Sequence, residues 1–542
     1  MNTPSIDQLR AELDAAEVRV PDFDFDELLP LWRENFDRRS VMRGVAIAHG
    51  EWAQENQAAQ SAKLTVTNEH TSTVQGSPAL PQEGELVHSN ISNLARLIHS
   101  RKISSKELTE LYLDRIARLD RKTQAFVSVL AESALAAAVA CDKRLATGEY
   151  LGPLHGIPVA LKDMISIGGV RLTGGSKLLA NNVALADATV TSHLRQSGAV
   201  IIGSNTLLEF GLGPALTDAD GGTGLNPWDV SRSTGGSSSG SAVAVAAGLC
   251  AAAVGTDTAG SVRLPAAICG TVGFKPTNGL VDLAGVMPMC WSLDTVGPLA
   301  RSVDDASHVI AGMLGPMAAA QFGIRSHVGP PSSLSGVRVG LLRSDFLDRD
   351  DVDSSVKSAV DEAIRWFRSM GCSVVDVTFP GIDNNAVIYA MHLAETYSAH
   401  RDTLRRQPNG YHQKSRLQMY IGALVTADDW FRTLHLKSKM KANFDVLMKS
   451  VDVLLMPGQG STAGPFDASG PPALMKARSR FTRLWNIVGA PAVVVPAGYG
   501  PEGLPLSLQF VGRPWNDQQL LDIAAAYEVC ASPARRLPPG FD

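Results

Sequence analysis

The sequence predicts an α/β fold with a buried mixed sheet, because amphipathic helices alternate with short apolar strands along most of the chain. These strands are apolar throughout, as is usual for strands of a buried sheet. A long run of small apolar residues adds to this, since it fits a buried helix passing into a strand. The predicted strands are residues 159–163, 199–203, 337–342, 453–457 and 492–496, and the apolar run is 242–254.

The first predicted unit is a helical extension over residues 1–56. Apolar residues recur there at helical spacing and form one face, followed by the start of another. The first face comprises Phe25, Leu28, Leu29, Trp32 and Phe36, and the second comprises Met42, Val45, Ala46 and Trp52. The polar segment 57–89, which contains two prolines, is typical of a connecting arm. The sequence leaves open whether the extension packs on its own chain or forms a homodimer.

A single large domain is predicted over residues 90–542. The pair Ser104 and Glu107 forms a capping box that opens its first long helix. The inward face of this helix is predicted to carry Leu108, Leu111, Tyr112 and Ile116. No internal repeat is visible in the sequence.

Composition excludes several classes of function. The chain has 542 residues, a net charge of −5 and a pI near 6.2, so we expect no nucleic-acid partner. No apolar run reaches about 18 residues and the first residues do not resemble a signal peptide, so we expect a cytoplasmic protein with no membrane partner. The six cysteines are scattered, and no ligand-spaced group of His, Cys and carboxylates is evident. We therefore expect reduced thiols, no metal and no organic cofactor.

Two blocks of small residues are the candidate catalytic segments, Thr234–Ser241 and Gly255–Pro265. A Gly/Ser run is more often a linker, but here an apolar helix follows the first block directly. Glycines let the backbone approach a reacting group, and successive N–H groups can converge on a developing oxyanion. For that oxyanion hole we predict the N–H groups of Thr258, Ala259, Gly260 and Ser261.

Ser261 is the candidate nucleophile, and it needs a base. No histidine lies in either block, whereas Lys162 ends an apolar strand. A lysine can act as a base only when burial or a nearby cation keeps it neutral. Spacing alone leaves that role and an ordinary solvated lysine about equally plausible.

Five motifs resemble those of the amidase signature enzymes, and the resemblance covers residues 92–532. The motifs are His155–Asp163 (HGIPVALKD), Gly235–Ala242 (GGSSSGSA), Gly255–Ala267 (GTDTAGSVRLPAA), Gly273–Thr277 (GFKPT) and Ser292–Pro298 (SLDTVGP). The resemblance implies one α/β/α layered domain around a central mixed sheet. It also implies a Ser–cis-Ser–Lys triad, with Ser261 as nucleophile, Ser237 as bridging serine after a cis peptide bond, and Lys162 as base.

Further residues match family positions. Ser238 is predicted either to support the triad or to cap the following helix. Asp257 and Arg263 are predicted to form a buried ion pair that stiffens the oxyanion loop rather than to take part in the reaction. Two departures from the family pattern, Ser239 and Ala259, replace glycines by other small residues.

The region that walls the substrate cleft is less constrained. By the resemblance, residues 379–449 and 458–464 border this cleft. Cys290 is expected to pack in its wall, because a serine apparatus is already present. Four aromatic side chains could contact substrate but are predicted to be core residues: Trp291, Tyr397, Trp430 and Trp485.

Three functions compete. The leading one is hydrolysis of a small-molecule amide through an acyl-enzyme, with activity on aryl amides, esters or carbamates as an extension of the same chemistry. The second is the glutaminase subunit of a tRNA-dependent amidotransferase, which requires partner chains. The third is a non-catalytic binding protein on the same fold, which we disfavour because all three triad positions are filled.

Overall fold

The computed structural model describes residues 5–16, 18–21, 24–44, 82–213, 223–329, 333–380, 385–466 and 479–542. Its α-helices are α1 (Ile6–Ala15), α2 (Phe25–Gly44), α3 (Glu83–Val87), α4 (Ile91–His99), α5 (Ser105–Thr123), α6 (Ala131–Ala146), α7 (Thr189–Gln196), α8 (Ser239–Ala246), α9 (Arg263–Cys269), α10 (Val303–Gln321), α11 (Ser354–Ser369), α12 (Asn385–Arg406), α13 (Gln413–Gly422), α14 (Ala427–Ser450), α15 (Arg483–Ile487) and α16 (Asp517–Cys530).

The strands form one mixed sheet in the order β1-β3-β2-β4-β6-β5-β10-β11-β9-β7-β8. Two groups of parallel neighbours, β3-β2-β4 and β9-β7-β8, flank an antiparallel centre. The strands are β1 (Phe126–Val129), β2 (Pro158–Lys162), β3 (Val200–Asn205), β4 (Ala252–Asp257), β5 (Val272–Lys275), β6 (Thr295–Ala300), β7 (Arg338–Leu341), β8 (Ser373–Asp376), β9 (Val453–Pro457), β10 (Ala492–Tyr499) and β11 (Pro505–Val511).

This architecture confirms the predicted α/β fold with a central mixed sheet. All five predicted strands are present, and β2, β3, β4 and β9 are buried along their whole length. The apolar run 242–254 forms most of α8 and the first part of β4, as predicted, and every residue of it is buried. The capping box of α5 is also present, with the Glu107 N–H donating to the Ser104 hydroxyl at 3.0 Å. Of the four inward residues predicted in α5, only Leu111 is partly exposed.

The helical extension packs on its own chain. Helix α2 contacts α12, α13 and α14, and Leu28 and Trp32 are buried in that contact. A buried ion pair, with Nε of Arg416 2.6 Å from Oδ2 of Asp24, ties the start of α2 to α13. A homodimer stays a prediction. The part of the predicted extension beyond Gly44, with its second apolar face, lies outside the described residues.

The predicted connecting arm differs from the structure where the two can be compared. Residues 82–89 form α3 and its flanks rather than an open arm, and the rest of the arm lies outside the described residues. Leu86 and Val87 are buried in the main core, and the Tyr112 hydroxyl donates to the carbonyl of Val87 at 2.9 Å. These two residues therefore pack into the same core as residues of the predicted large domain. In the part of the chain that the structure describes, no helix combines the length and apolarity needed to span a membrane.

Candidate active site

Lys162 lies at the carboxyl end of β2, an interior strand of the sheet in which every residue is buried. Its side chain is fully buried. Nζ donates to Oγ of Ser237 and to Oγ1 of Thr256, both at 2.7 Å. The amine of Lys162 thus lies between two hydroxyls. It stands at the end of the apolar strand β2, next to the parallel strand β4.

Burial controls the charge of this lysine. Loss of hydration lowers the pKa of Lys162 from 10.5 to about 7, although the carboxylates of Asp294 and Asp257 act to raise it. A large fraction of the amine is therefore neutral near neutral pH. A neutral amine has a lone pair that can accept a proton from the adjacent Ser237 hydroxyl.

Ser237 and Ser238 stand immediately before α8. The peptide bond between Gly236 and Ser237 is cis, as the family resemblance implies. The Ser238 N–H donates to the carbonyl of Ser261 at 3.1 Å, which joins the two small-residue blocks. The Ser238 hydroxyl donates to the carbonyl of Thr256 at 3.2 Å and makes no capping bond to α8. Of its two predicted roles, this geometry fits support of the site and not helix capping.

Ser261 occupies the loop between β4 and α9. Its exposed fraction is 9%, compared with 2% for Ser237 and 0% for Lys162. Accessibility thus rises along the series from lysine to bridging serine to candidate nucleophile. This order suits a relay in which only the last hydroxyl must reach a substrate.

A buried ion pair fixes the loop that carries Ser261. Arg263 donates to both carboxylate oxygens of Asp257, at 3.0 Å from Nε and 2.9 Å from Nη2, and both side chains are fully buried. The Arg263 guanidinium overcomes the effect of burial and holds the pKa of Asp257 down at about 2. Arg263 also donates to Asn486 at 2.7 Å and to Gln509 at 2.9 Å. The geometry is that of the predicted structural ion pair.

The carboxylate of Asp257 also accepts a hydrogen bond from one of the four N–H groups predicted for the oxyanion hole. The Gly260 N–H donates to Oδ1 of Asp257 at 2.8 Å, so it is engaged inside the loop. Among the described residues, the N–H groups of Thr258, Ala259 and Ser261 meet no protein acceptor. Within the described ranges, three of the four predicted donors are therefore free for a substrate oxygen.

Sequence reasoning missed two side chains of the site, Thr256 and Asp294. Thr256 is the second hydroxyl bound to Lys162, and Asp294 accepts a 2.5 Å hydrogen bond from the Thr258 hydroxyl. Burial raises the pKa of Asp294, while its hydrogen bonds oppose that shift. Both residues lie in the family motifs, but only the fold reveals what they contact.

Two predictions for the cleft wall have different outcomes. Cys290 is buried, and desolvation, followed by the charge of Glu395, raises the pKa of its thiol well above the usual value. A protonated thiol fits wall packing rather than nucleophilic attack.

The prediction that Trp291 is a core residue is wrong, because this side chain is 52% exposed. Trp485 is fully buried, as predicted, whereas Tyr397 and Trp430 are partly exposed.

Comparison with known proteins identifies the family of the chain. The family model described as Amidase matches residues 107–521. A glutamyl-tRNA(Gln) amidotransferase subunit from Synechococcus sp. (strain CC9311) is 34% identical over 83% of this chain and 99% of the relative. The corresponding amidotransferase subunit from Carboxydothermus hydrogenoformans is 35% identical, over 82% of this chain and 97% of the relative.

Solved structures give the same result. The peptide amidase from Stenotrophomonas maltophilia superposes with a TM-score of 0.71 at 30% identity, covering 84% of this chain and 99% of that one. The glutamyl-tRNA(Gln) amidotransferase subunit from Thermotoga maritima gives a TM-score of 0.67 at 29% identity, covering 84% and 98%. Since the family model spans most of the chain and the relatives align over nearly their full length, the chain belongs to the Amidase family, whose members cleave carbon–nitrogen bonds.

Proposed function

We propose that this protein hydrolyses an amide through an acyl-enzyme formed on Ser261. The observation that carries the proposal is the 2.7 Å contact between Nζ of Lys162 and Oγ of Ser237, made by a buried amine with a lowered pKa. A buried lysine beside a hydroxyl is a proton acceptor available near neutral pH. The bond from Ser238 to the backbone of Ser261 keeps the nucleophile loop next to this pair.

The reaction begins with a proton relay. Oγ of Ser261 attacks the carbonyl carbon while its proton passes to Oγ of Ser237, and the proton of Ser237 passes to the neutral Nζ of Lys162. The carbonyl oxygen becomes an oxyanion, which the free N–H groups of the Thr258–Ser261 loop stabilise. The C–N bond then breaks, and the proton returns from Lys162 through Ser237 to the leaving nitrogen. Ammonia or an amine departs and leaves an ester on Ser261.

Water completes the cycle by the same route in reverse. A water molecule gives its proton to the relay as its oxygen attacks the ester carbonyl. The tetrahedral intermediate collapses, the proton returns to Oγ of Ser261, and the carboxylic acid leaves. Within each half-reaction the relay gives back the proton that it took up, so the protein supplies no net acid or base.

Two substrate classes fit this chemistry. A small-molecule amide is the simpler one, and the resemblance to a peptide amidase structure supports it. The second is the side-chain amide of glutamine, with this chain acting as the glutaminase subunit of an amidotransferase. Curated relatives that are 34–35% identical favour the second class, because they carry the name of an amidotransferase subunit. Glutamine therefore belongs among the first amides to be tested.

The test of the mechanism is mass spectrometry of the intact protein after treatment with a serine-reactive fluorophosphonate. We expect one adduct on the wild type and none on Ser261→Ala. The matched control is Ser241→Ala, which removes a buried hydroxyl of the other small-residue block, Thr234–Ser241, that has no hydrogen-bond partner among the described residues. Equal labelling of the wild type and Ser261→Ala would refute Ser261 as the nucleophile.

The test of the substrate measures ammonia or amine release from glutamine and from aliphatic and aryl amides. Hydrolysis of a small amide by the isolated chain would support the first class. Glutamine hydrolysis that rises only after partner subunits of an amidotransferase are added would support the second. Labelled protein that hydrolyses none of these amides would leave the nucleophile in place and refute both substrate classes.

A further inference from the structure

Three side chains that can bind a metal meet away from the proposed triad. Asp304 and His308 lie four residues apart in the first turns of α10, so they share one face of the helix. His327 follows the helix in the connection to β7. The ligand atoms of the three residues all lie within 4.8 Å of one another. One Asp-x-x-x-His pair does not define a metal site in a sequence, and the third residue joins this pair only through the fold, so the sequence alone led us to expect no metal.

The distances suit a small divalent ion. A tetrahedral ion with ligands at about 2.0–2.1 Å holds neighbouring ligand atoms about 3.3 Å apart. Nε2 of His308 lies 3.4 Å from Oδ2 of Asp304, which already matches. Nδ1 of His327 lies 2.7 Å from Oδ1, the other oxygen of the same carboxylate. An ion bound to both histidines therefore uses both carboxylate oxygens, or the carboxylate and His327 shift slightly so that one oxygen serves. The side chain of His327 is 66% exposed and has room to do so.

Neighbouring groups hold the carboxylate in position. The Val328 N–H donates to Oδ1 of Asp304 at 3.0 Å, and the Ser92 hydroxyl donates to Oδ2 at 2.7 Å. Ser92 also borders a surface depression that Asn90, Asn93 and Arg96 line. Its Oγ lies 2.7 Å from Nε2 of His308, where it either moves aside or becomes a further ligand.

We propose that Asp304, His308 and His327 bind one divalent transition-metal ion of the Zn²⁺ class, with water completing the coordination. Two imidazoles and one carboxylate are the donor set that such ions prefer, whereas Mg²⁺ and Ca²⁺ prefer oxygen ligands alone. The ion fastens the segment after α10 to the start of that helix. It has no part in the proposed amide hydrolysis, because none of its ligands contacts Lys162, Ser237 or Ser261.

The outer shell of this site is incomplete, which limits its affinity. Nδ1 of His308 is buried and has no hydrogen-bond partner among the described residues. In a metal-bound imidazole the other ring nitrogen carries a proton and usually donates it, and loss of such a partner costs about 10–100-fold in affinity. We therefore expect binding that is weaker by about this factor than at a site with a complete outer shell.

The test is titration of the chelator-treated full-length protein with Zn²⁺ by calorimetry, and with Co²⁺ by visible absorption. We expect one ion per chain, and an affinity lower by about tenfold or more in His327→Ala and in Asp304→Asn. The matched control is His99→Ala, which removes an exposed imidazole of α4 that lies outside the cluster. Amide hydrolysis by His327→Ala should equal that of the wild type.

Two results would overturn the proposal. One is the absence of stoichiometric binding to the wild type, which would make the cluster a hydrogen-bond network only. The other is equal affinity in the wild type and in His327→Ala, which would place the ion elsewhere. If Asp304→Asn fails to fold because Asp304 also anchors Val328, the His327 variant alone decides, since its side chain is mostly exposed.

Discussion

At the scale of single residues, the burial of Lys162 sets the pH range of the proposed reaction. A lysine at the surface is almost wholly protonated at pH 7, because its ordinary pKa is about 10.4. Removal from water brings the pKa of Lys162 down to about 7, and the buried carboxylates of Asp294 and Asp257 keep it from falling further. Burial therefore favours the neutral amine, and the two negative charges limit how far the pKa of Lys162 falls.

The pH dependence of kcat/KM tests this role. The neutral amine is the active form, so kcat/KM should rise as pH increases through about 7 and then level off. The measurement is a pH profile on any hydrolysed amide, with the residual activity of Lys162→Ala as the control that should lack this rise. A profile that is flat across about pH 6 to 10 would contradict a lysine base.

Substitution of the triad members tests the relay. We expect Ser261→Ala and Lys162→Ala each to lower kcat by about 10³-fold or more, and Ser237→Ala to cost the same or less. Because the residues act as a unit, the double variant Lys162→Ala/Ser261→Ala should lose little beyond either single change. Single-turnover and steady-state kinetics measure these losses, and additive losses would argue against a shared relay.

The residue pattern singled out Ser261 among small residues and Lys162 at the end of an apolar strand, but it left the role of Lys162 open. The proposed triad rests on the resemblance to the amidase signature enzymes, and contacts across the fold could not be predicted from either. Nothing in the sequence showed that the Gly260 N–H would donate to Asp257. Nor did it show that Lys162 would donate to Thr256 as well as to Ser237. Each depends on distances between segments that are far apart in the chain.

At the scale of elements, the loop from β4 to α9 holds its shape by close backbone packing. Gly260 has a φ of +124°, a conformation that disfavours any residue with a Cβ atom. The Thr482 hydroxyl donates to the carbonyl of Ala259 at 2.7 Å, directly beside this glycine. The segment before α15 therefore fixes the loop from the outside, while the pair of Asp257 and Arg263 fixes it from within.

Gly260→Ala tests how much precision the loop needs. A Cβ at this position would lie 2.6 Å from Cβ of Thr482, so the loop or its neighbour must move. Misplacement of reacting groups by about 1 Å can cost about 100-fold, and we expect kcat to fall by about that factor. The control is Gly323→Ala, where φ is +67° and, apart from the chain neighbours, no atom of the described residues lies within 4 Å of the added Cβ. Unchanged kcat in Gly260→Ala would mean that the loop tolerates displacement.

Element boundaries were predicted best where hydrophobic pattern and turn chemistry agree. The strand that ends in Lys162 and the helix opened by Ser104 and Glu107 formed as expected, because buried strands and capping boxes are local signals. The segment 82–89 was misjudged, because Leu86 and Val87 were too few to outweigh the polar residues before them. Their burial depends on α5, which follows later in the sequence.

At the scale of the whole molecule, the extension and the site share one apolar cluster. Leu9, Leu28 and Trp32 of the extension belong to the same buried cluster as Met164 and Met289, which adjoin the proposed active site. The Met289 sulfur lies 3.4 Å from the Thr258 hydroxyl, and Met164 follows Lys162 by two positions. The extension is therefore part of the body that supports the cleft.

Trp32→Ala tests the contribution of the extension. Trp32 is 1% exposed, and truncation of a buried tryptophan costs about 3–5 kcal/mol through lost burial and the cavity left behind. We expect a clear fall in the midpoint of urea unfolding, measured by fluorescence and circular dichroism. Glu27→Ala, an exposed change in the same helix, should shift stability by about 0.5 kcal/mol or less. Equal midpoints for the two variants would mean that the extension is only loosely attached.

The order of strands has a consequence for how the chain is made. Strands β10 and β11 come near the end of the chain, yet they lie in the interior of the sheet, where Lys275 of β5 pairs with Ala492. A growing chain that has not yet produced residue 492 can hold the proposed triad, but its sheet still ends at β5. Such an exposed edge can pair with other chains. In the complete fold, residues 492–511 cover this edge while contributing none of the proposed catalytic side chains.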